Sequence, residues 1–352
     1  MPPSFDLLVI GDANPDVVLG PVPHPLAYGQ REQLVPRADL LLGGSAAITA
    51  CGAARLGLRV AFAGRVGDDA AGAFVRAALA GRGVDVTALT TDPDLPTPLT
   101  TVLTRDDADR AILTAPGCLT ATGPRDVPAA LLAGSRHVHA ASFFLMPRLA
   151  RALPDLFARA RAHGATTSLD TNDDPEQRWD AGLLGPVLEV TDVLLPNAAE
   201  VRALARALAH EPVADRPASS LPADSPPPAG PPPQDDPLAT AAAALARRGP
   251  LVVVKDGPRG ALAHDGDAVL RAPAPPAAPL DTVGAGDSFD AGFLAARLRG
   301  ADLAASLALA AACGALSTRA HGGTAAQPTW DEARAAALPT PVTPAHPAIP
   351  RS

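Results

Sequence analysis

Short apolar runs alternate with longer amphipathic segments along most of this chain, a pattern typical of alternating strands and helices. Predicted strands cover Phe5–Ile10, Arg59–Ala63, Val84–Leu89, His137–Ala140, Thr166–Asp170, Val193–Leu195 and Leu251–Lys255. Predicted helices cover Ser45–Leu56, Asp69–Ala80, Pro147–His163, Ala198–Ala209 and about Ala285–Arg297. The alternation predicts an α/β fold with a mostly parallel central sheet and helices on both of its faces.

Two segments, 17–42 and 97–114, break this rhythm because they carry short strands of alternating polarity. The clearest example is Leu99-Thr-Thr-Val-Leu-Thr-Arg105. We predict that these segments form a small additional β-sheet, a lid beside the main domain.

Proline marks the weakly structured parts of the chain. Residues 211–237 contain ten prolines, a composition that can neither pack a core nor keep a regular strand ladder. We predict a surface insertion there and a loose proline-rich tail over 339–352, with residues 1–338 forming one domain. Such a stretch can also bind a partner as an extended helix, and this alternative stays open.

Composition narrows the class of protein. A chain of 352 residues that is 47% apolar can build one large α/β domain, while a net charge of −8 disfavours a nucleic-acid partner. No run of 18 apolar residues predicts a membrane span, and the chain start lacks the basic segment of a secretory signal. The three scattered cysteines fit neither a disulfide framework nor a zinc site, so we expect a cytoplasmic protein.

Polar residues collect in the loops that follow predicted strands or open the helices after them. These loops are Gly11–Asp16, Gly43-Gly44, Asp170–Asn172, Asn197–Glu200 and Asp281–Asp287. In open α/β sheets, ligands bind at the carboxyl ends of the strands. The sequence therefore predicts a ligand site at this edge of the sheet.

The last of these loops, Asp281-Thr-Val-Gly-Ala-Gly-Asp287, has the clearest chemistry. Glycines let the backbone approach a ligand closely, and the free amides at a helix start attract anions. Residues 284–286 could therefore hold a phosphate. A carboxylate does not help to bind an anion, but Asp287 could take the proton of an attacking hydroxyl. The competing interpretation is an ordinary helix start that carries an acidic residue.

Several other phosphate-binding and hydrolytic motifs are excluded by the sequence. The single lysine, Lys255, lies in Val-Lys-Asp, so no P-loop Gly-Lys-Ser/Thr is present. The protein-kinase motifs His-Arg-Asp and Asp-Phe-Gly are missing. Phe289 stands where a dinucleotide fingerprint needs its third glycine. Gly286-Asp-Ser288 is not followed by the Asp-x-x-His expected of a serine esterase.

The chain resembles the ribokinase-like (PfkB) family of carbohydrate kinases. The motifs that carry the resemblance are Gly11–Asp16, Gly43–Ala47 with Leu56-Gly57, Gly64–Gly72, Ser168–Asn172 with Trp179, Leu195–Glu200, Lys255–Gly260 and Asp281–Phe289. They span most of the chain, and their common order and spacing make the match specific.

The resemblance implies a role for each matching residue. Asp287 would be the general base, and the amides of Gly284, Ala285 and Gly286 would form the anion hole. Sugar hydroxyls would be bound by Asn14, Asp16, Gly43 and Gly44. The ATP side would comprise Asn197, Glu200, Lys255, Gly257 and Gly260, with Asn197 and Glu200 organising Mg²⁺ through water. Asp281 would bind a monovalent cation such as K⁺.

The family resemblance implies an ATP- and Mg²⁺-dependent kinase that phosphorylates a primary hydroxyl of a sugar or sugar-like acceptor. Two alternatives stay open: a nucleoside kinase with an aromatic slot at Phe143 and Phe144, or a non-catalytic binding regulator on the same fold. A homodimer through the lid is also implied. Ile48 stands where the family often has asparagine, so the acceptor cannot be deduced from the motifs.

Overall fold

Three strands of the main sheet, Phe5–Ile10, Val60–Gly67 and Leu251–Lys255, are mostly apolar, as expected where helices cover both faces. Four consecutive side chains of the first strand, Leu7 to Ile10, are fully buried. The computed structural model describes residues 3–105, 109–209 and 236–337. The strands in this part of the chain are β1 (Phe5–Ile10), β2 (Asn14–Gly20), β3 (Arg37–Gly43), β4 (Val60–Gly67), β5 (Asp85–Asp92), β6 (Leu99–Thr104), β7 (Arg110–Ala115), β8 (Ser135–Ala140), β9 (Thr166–Leu169), β10 (Val193–Leu194), β11 (Leu251–Lys255), β12 (Ala261–His264) and β13 (Val269–Ala272).

Ten α-helices connect these strands within the described residues. They are α1 (Ser45–Arg55), α2 (Ala70–Ala80), α3 (Ala129–Ala133), α4 (Pro147–Ala162), α5 (Ala181–Leu188), α6 (Ala198–Ala207), α7 (Pro237–Ala246), α8 (Ala285–Leu298), α9 (Leu303–Ser317) and α10 (Trp330–Ala337). Several begin with a side-chain cap: Asp69 accepts the amide of Gly72 at α2, and Asp302 accepts the amide of Ala305 at α9.

The main sheet has nine strands in the order β13-β12-β11-β10-β9-β8-β1-β4-β5. All pairs from β11 to β5 are parallel, and β12 and β13 add an antiparallel edge. The predicted mostly parallel α/β sheet is confirmed. Because the parallel strands run the same way, the loops after β1, β9, β10 and β11 open at the same edge.

Helices cover both faces of this sheet, and each face has its own apolar core. On one face, Leu7 and Val9 of β1 pack with residues of α1, α8 and α9, including Phe293. On the other face, Leu8 and Ile10 pack with residues of α4, α6 and α7, including Phe157. Each large apolar side chain buried in this way contributes about 1.5–3 kcal/mol of transfer free energy.

A second, four-stranded sheet lies beside the first, in the order β3-β2-β6-β7. It confirms the small sheet predicted for 17–42 and 97–114, although its strands extend to Asn14 on one side and Ala115 on the other. Asn14, Asp16 and Val18 alternate with Val17 and Leu19 along β2, so the sheet has an inner face with polar residues and a more apolar outer face.

Most predicted elements are confirmed, with changes at their ends. β4 runs beyond the predicted end to Gly67, because Arg65 is paired with Asp92 and Asp126 instead of ending the strand. Of the proline-rich stretch predicted for 211–237, residues 211–235 lie outside the described part of the chain. Its last residue, Pro237, begins α7. The predicted tail, 339–352, also lies outside them. Across the described ranges, no helix has both the length and the apolar composition needed to cross a bilayer.

Candidate active site

The phosphate-binding loop predicted from the sequence is a sharp bend at the start of α8. Gly284 caps the helix with a φ of 71°, in the left-handed region. A Cβ atom at this position would lie 2.5 Å from the Cα of Gly323, so the bend requires glycine. The amide of Ala285 donates to the carbonyl of Thr282 at 3.3 Å. Those of Gly286 and Asp287 have no acceptor among the described residues, as expected in a first helical turn.

Asp287 lies in that first turn and is 7% exposed. Burial raises the pKa of its carboxyl to about 8, and the charges of Asp170 and Asp12 act in the same direction. The charge of Lys255 and a hydrogen bond from Ser45 oppose this shift. A carboxyl group in this state can exchange a proton near neutral pH, which is what a general base requires.

Lys255 ends β11 and forms two buried ion pairs next to Asp287. Its Nζ lies 2.6 Å from Oδ2 of Asp170 and 3.0 Å from Oδ2 of Asp290. Its aliphatic stem passes Gly286, since a Cβ atom there would lie 3.5 Å from Cδ of the lysine. The ammonium group therefore lies beneath the bend at the start of α8.

The predicted acceptor residues come together where β1, β2 and β3 meet α1. The Nδ2 of Asn14 donates to Oδ1 of Asp16 at 2.7 Å and to the hydroxyl of Thr100 at 3.2 Å. The Asp16 carboxyl lies over Gly43, where a Cβ atom would come within 2.1 Å of it. Burial raises the pKa of Asp16 to about 7, although the Asn14 hydrogen bond opposes the shift.

Asp12 was not among the predicted site residues, but it organises this region. Its two oxygens accept the amides of Ser45 and Ala46 at 3.1 and 3.0 Å, which fixes the start of α1. Gly44 precedes that helix, and a Cβ atom there would lie 2.7 Å from the Asp12 carbonyl. Burial raises the pKa of Asp12.

Asp170 and Asn172 follow β9 and connect the acceptor region to Asp287. The Nδ2 of Asn172 donates to Oγ of Ser45 at 2.9 Å and to Oδ2 of Asp170 at 3.3 Å. Burial alone would raise the pKa of Asp170, but the charge of Lys255 and several hydrogen bonds lower it. Asp170 is therefore an ionised, fully buried carboxylate.

Asn197 and Glu200 form the capping box that their spacing allows. The side chain of Asn197 accepts the amides of Ala199 and Glu200, while the Glu200 carboxylate accepts the amide and Nδ2 of Asn197 at 2.8 and 2.5 Å. The backbone of Asn197 also forms an isolated parallel β-bridge with the backbone of Lys255. Burial, and then the charge of Asp170, raise the pKa of Glu200 to about 7.

A cavity of about 430 Å³ opens on the other side of the bend. Lys255, Gly257 and Gly260 line it together with Ala285 and Gly286, so the residues predicted for the nucleotide side adjoin the predicted anion hole. Most of the remaining lining is apolar and comes from 274–277, α8 and α9.

Asp281 lies in the loop that leads into the bend and ties it to the 320–323 segment. Its Oδ1 accepts the amide of Val283 at 3.0 Å, and its Oδ2 accepts the amide of Gly322 at 2.9 Å. The monovalent-cation site stays a prediction.

The structure thus groups the predicted residues into three adjoining parts: the residues predicted for the acceptor (the acceptor end), the bend with Asp287, and the cavity lined by the residues predicted for the nucleotide. It also adds residues that were not predicted as site residues: Asp12, Ser45, Asp170, Asn172 and Asp290. Asp290 follows Asp287 by three positions, which places the two on one helix face, so helical spacing could have revealed it. The side chain of Ile48, which stands where the family often has asparagine, packs against Gly284 and Gly323.

Comparison with known proteins identifies the family. The family model described as pfkB family carbohydrate kinase matches residues 4–330. The chain belongs to the pfkB family of carbohydrate kinases. Curated relatives that the chain matches over most of their length are named kinases, so this protein is a sugar or nucleoside kinase that transfers a phosphoryl group to an alcohol.

Two pfkB relatives illustrate the range of acceptors. The chain is 30% identical to an ATP-dependent ribose-1-phosphate kinase of Halopiger xanaduensis, over 92% of this chain and 95% of the relative. It is 29% identical to a nucleoside kinase of Methanothermobacter thermautotrophicus, over 85% of this chain and 84% of the relative.

A solved pfkB-type structure supports the fold. Arabidopsis thaliana ribokinase, complexed with ribose and ATP, superposes with a TM-score of 0.76 at 22% identity and covers 97% of this chain and 100% of the ribokinase chain. This likeness establishes the ribokinase-like fold.

Proposed function

We propose that the protein catalyses ATP-dependent phosphorylation of a primary hydroxyl of an uncharged sugar or sugar-like acceptor. The observation that carries the proposal is the position of Asp287. Its carboxyl lies in the first turn of α8, directly after the unpaired amide of Gly286, between the apolar cavity and the polar acceptor end.

The proposed reaction assigns a separate task to each part of the site. The acceptor oxygen forms a bond to the terminal phosphorus of ATP as the bond from that phosphorus to its bridging oxygen breaks, and ADP leaves. Asp287 receives the proton of the acceptor hydroxyl. The free amides at the start of α8 stabilise the charge on the transferring group.

ATP fits the cavity on the nucleotide side by size and chemistry. Its volume of about 430 Å³ lies in the range of small-molecule sites, and its largely apolar walls suit a base and a ribose. Mg²⁺, when bound, would neutralise charge on the phosphates. Glu200 offers a buried carboxylate whose oxygens each already accept one hydrogen bond from Asn197. The pair therefore suits a hydrated Mg²⁺, held through its waters.

The acceptor end is acidic, which supports an uncharged acceptor. Asp12, Asp16 and Asp287 form no ion pair or hydrogen bond with an arginine or lysine in the part of the chain that the structure describes. A second phosphate on the acceptor would meet these carboxyls without a counter-charge. We therefore propose that a sugar phosphate, the acceptor named for the Halopiger relative, is a poor substrate here.

The aromatic residues do not favour a nucleoside acceptor. Phe143 is 3% exposed in the core, and Phe144 packs edge-to-face against Phe143 and Trp179. The Phe143 ring is therefore not free to stack on a base, and the half-buried Phe144 ring is already engaged by two other rings. A non-catalytic regulator is equally disfavoured, since such a protein would have no need of a buried Asp287 beside free amides.

A substrate panel tests the proposal. Purified protein is incubated with MgATP and neutral sugars, nucleosides or ribose 1-phosphate, and ADP release is measured with the product identified by mass spectrometry. We expect turnover with at least one neutral sugar and a lower kcat/KM with ribose 1-phosphate. Preference for the sugar phosphate or for a nucleoside would overturn the acceptor assignment. The absence of turnover with every acceptor would overturn the kinase assignment.

We also propose K⁺ binding near Asp281, because this carboxylate links the bend to the 320–323 segment. A cation there would adjust the position of the free amides. Replacing Na⁺ by K⁺ in the assay should raise kcat, and equal rates with both ions would remove this proposal.

We propose that a second copy of the chain covers the outer face of the small sheet. This outer lid face consists of two cross-strand rows, Leu40-Val17-Thr101-Leu113 and Ala38-Leu19-Leu103-Ala111. Leu40 and Leu113 are 55% and 59% exposed. A contiguous apolar face of this kind is typical of an interface.

A further inference from the structure

The single lysine of the chain is placed where its charge bears on Asp287. Lys255 is the only lysine among 352 residues, and its side chain is 11% exposed. Its ammonium contacts Asp170 from β9 and Asp290 from α8. These contacts join the sheet edge to the helix that carries Asp287.

Three carboxyl groups share this small, buried volume. Asp170, Asp287 and Asp290 each have an oxygen within 4.8 Å of the others. Oδ1 of Asp290 is buried and has no hydrogen-bond partner among the described residues. One ammonium group is therefore the counter-charge for three carboxyl groups. Carboxyl groups this close together strongly oppose one another's ionisation.

Other charged or titratable groups do not relieve this excess. Asp12, from the loop after β1, raises the pKa of Asp287 further, and Glu200 of α6 adds another carboxyl whose charge acts on Lys255. His139 of β8 is buried, and burial lowers its pKa to about 4, so it is neutral. α1 contributes only the uncharged Ser45 and Thr49.

A divalent metal ion is a poor explanation for the three carboxyls. Two of them already bind the Lys255 ammonium at 2.6 and 3.0 Å. A cation in the same space would have to displace that ammonium. The lysine is itself the cation of this cluster.

We propose that Lys255 is a positioning residue for the base: its ammonium joins Asp170 to Asp290 and offsets the negative charge of Asp170, so that Asp287 can lose its proton while buried beside them. This role rests on the proposed function, because it gives Asp287 the task of accepting the acceptor proton. It differs from nucleotide binding, the role that the family resemblance implies for Lys255. The Nζ is engaged by carboxylates instead of standing free for a phosphate.

Lys255→Met tests the proposal through pH profiles. Without the ammonium, Asp287 ionises at higher pH, so the acid limb of kcat/KM should move up by about one pH unit or more, an approximately tenfold loss below the limb. Activity should recover at alkaline pH, while KM for ATP changes little. Lys255→Arg keeps the charge and should keep the limb near its original position.

Arg259→Met is the matched control. Arg259 lies in the turn after β11, is 74% exposed and pairs with Asp256, so its loss removes one positive charge near the cavity without touching the three carboxyls. The limb should stay in place. If the acid limb of the Lys255→Met profile also stayed in place, or if only KM for ATP changed, the positioning role would be overturned.

A second readout covers a variant that folds poorly or a protein without activity. In Lys255→Met, thermal stability should fall more steeply from pH 5 to pH 8 than in the wild type, because three buried acids then lack a counter-charge. Adding Asp290→Asn should reduce that slope by removing one acid. If the slopes behave so but no acceptor is phosphorylated, the electrostatic arrangement stands and the proposed function fails. Equal slopes in all variants would contradict the arrangement itself.

Discussion

At the scale of single residues, Asp287 combines two features that an ordinary helix-start acid lacks. It is 7% exposed, and it adjoins two further buried carboxyls. An acid that merely favours the helix dipole has no need of burial. The comparison with Asp302 is direct, since that residue starts α9 and accepts one amide at 2.7 Å from an exposed position.

Asp287→Asn should keep the fold and lower kcat by about 100-fold or more, because general-base catalysis contributes factors of this order. KM for ATP should change little. Asp302→Asn is the control, since asparagine caps a helix as well as aspartate does, and its kcat should equal the wild-type value. Steady-state assays of both variants decide the matter. Near-native turnover of Asp287→Asn would assign the proton transfer to another group.

The same substitution should stabilise the protein, and the gain should depend on pH. Burial raises the pKa of Asp287 to about 8 in the folded state, from its ordinary value of 3.8. Between about pH 4 and pH 8 this carboxyl is ionised in the unfolded chain but protonated in the folded protein. The free energy of unfolding of the wild type therefore falls as pH rises from about 4 to 8. The asparagine variant escapes this loss.

Thermal melts at pH 5 and pH 8 would measure this effect. The difference in Tm between Asp287→Asn and the wild type should be larger at pH 8. A difference that shrinks with pH would mean that Asp287 is stabilised as a carboxylate in the folded protein, contrary to its surroundings.

At the scale of elements, the start of α8 depends on one backbone conformation. Gly284→Ala combines a positive φ with a Cβ atom 2.5 Å from Gly323. We expect it to lower kcat by about 100-fold, since a displacement of about 1 Å in a positioned group has an effect of that size. Gly300→Ala, just beyond the other end of the same helix, has a φ of 82° and open space around it.

Gly300→Ala therefore introduces only the strain of a positive φ at alanine, about 1 kcal/mol, without the steric contact that Gly284→Ala adds. Its kcat should be unchanged while its stability falls slightly. Equal kcat losses in both variants would mean that the bend has no special role, and equal stability losses would mean that the segment around Gly323 yields easily.

The strength of local patterns explains which elements the sequence could predict. β1 and β11 each contain a run of four apolar residues, and their bounds were predicted without error. α9 consists mostly of small and apolar residues on every side, which gives no periodic signal, and it was missed. The hairpin of β12 and β13 is short and lies at the sheet edge, so it too was missed.

The site shows the same division between local and distant information. The order of the motifs along the chain predicted the bend, the acceptor residues and the nucleotide side. The cluster around Lys255 depends on Asp170 and Asp290, which lie 85 and 35 residues away in sequence. No single window contains both partners, so folding is needed to bring the charges together.

At the scale of the whole molecule, the acceptor end lies at the junction of the two sheets. Asp16 belongs to the small sheet through β2, while Asp170 directly follows β9 of the main sheet and Asp287 lies on α8, which packs against that sheet. Any movement of the small sheet would therefore change how the acceptor meets the base. Fixing the small sheet against a second copy would limit such movement, which links assembly to activity.

Leu113→Asp should convert the proposed dimer to a monomer, because it places a charge in the outer lid face, where Leu113 is 59% exposed. Ile112→Asp is the matched control: it lies on the same strand with 58% exposure but on the inner face, opposite Val102. Light scattering at several protein concentrations should give twice the chain mass for the wild type and Ile112→Asp, and the chain mass for Leu113→Asp. A wild-type protein that stays monomeric at micromolar concentration would remove the proposed interface.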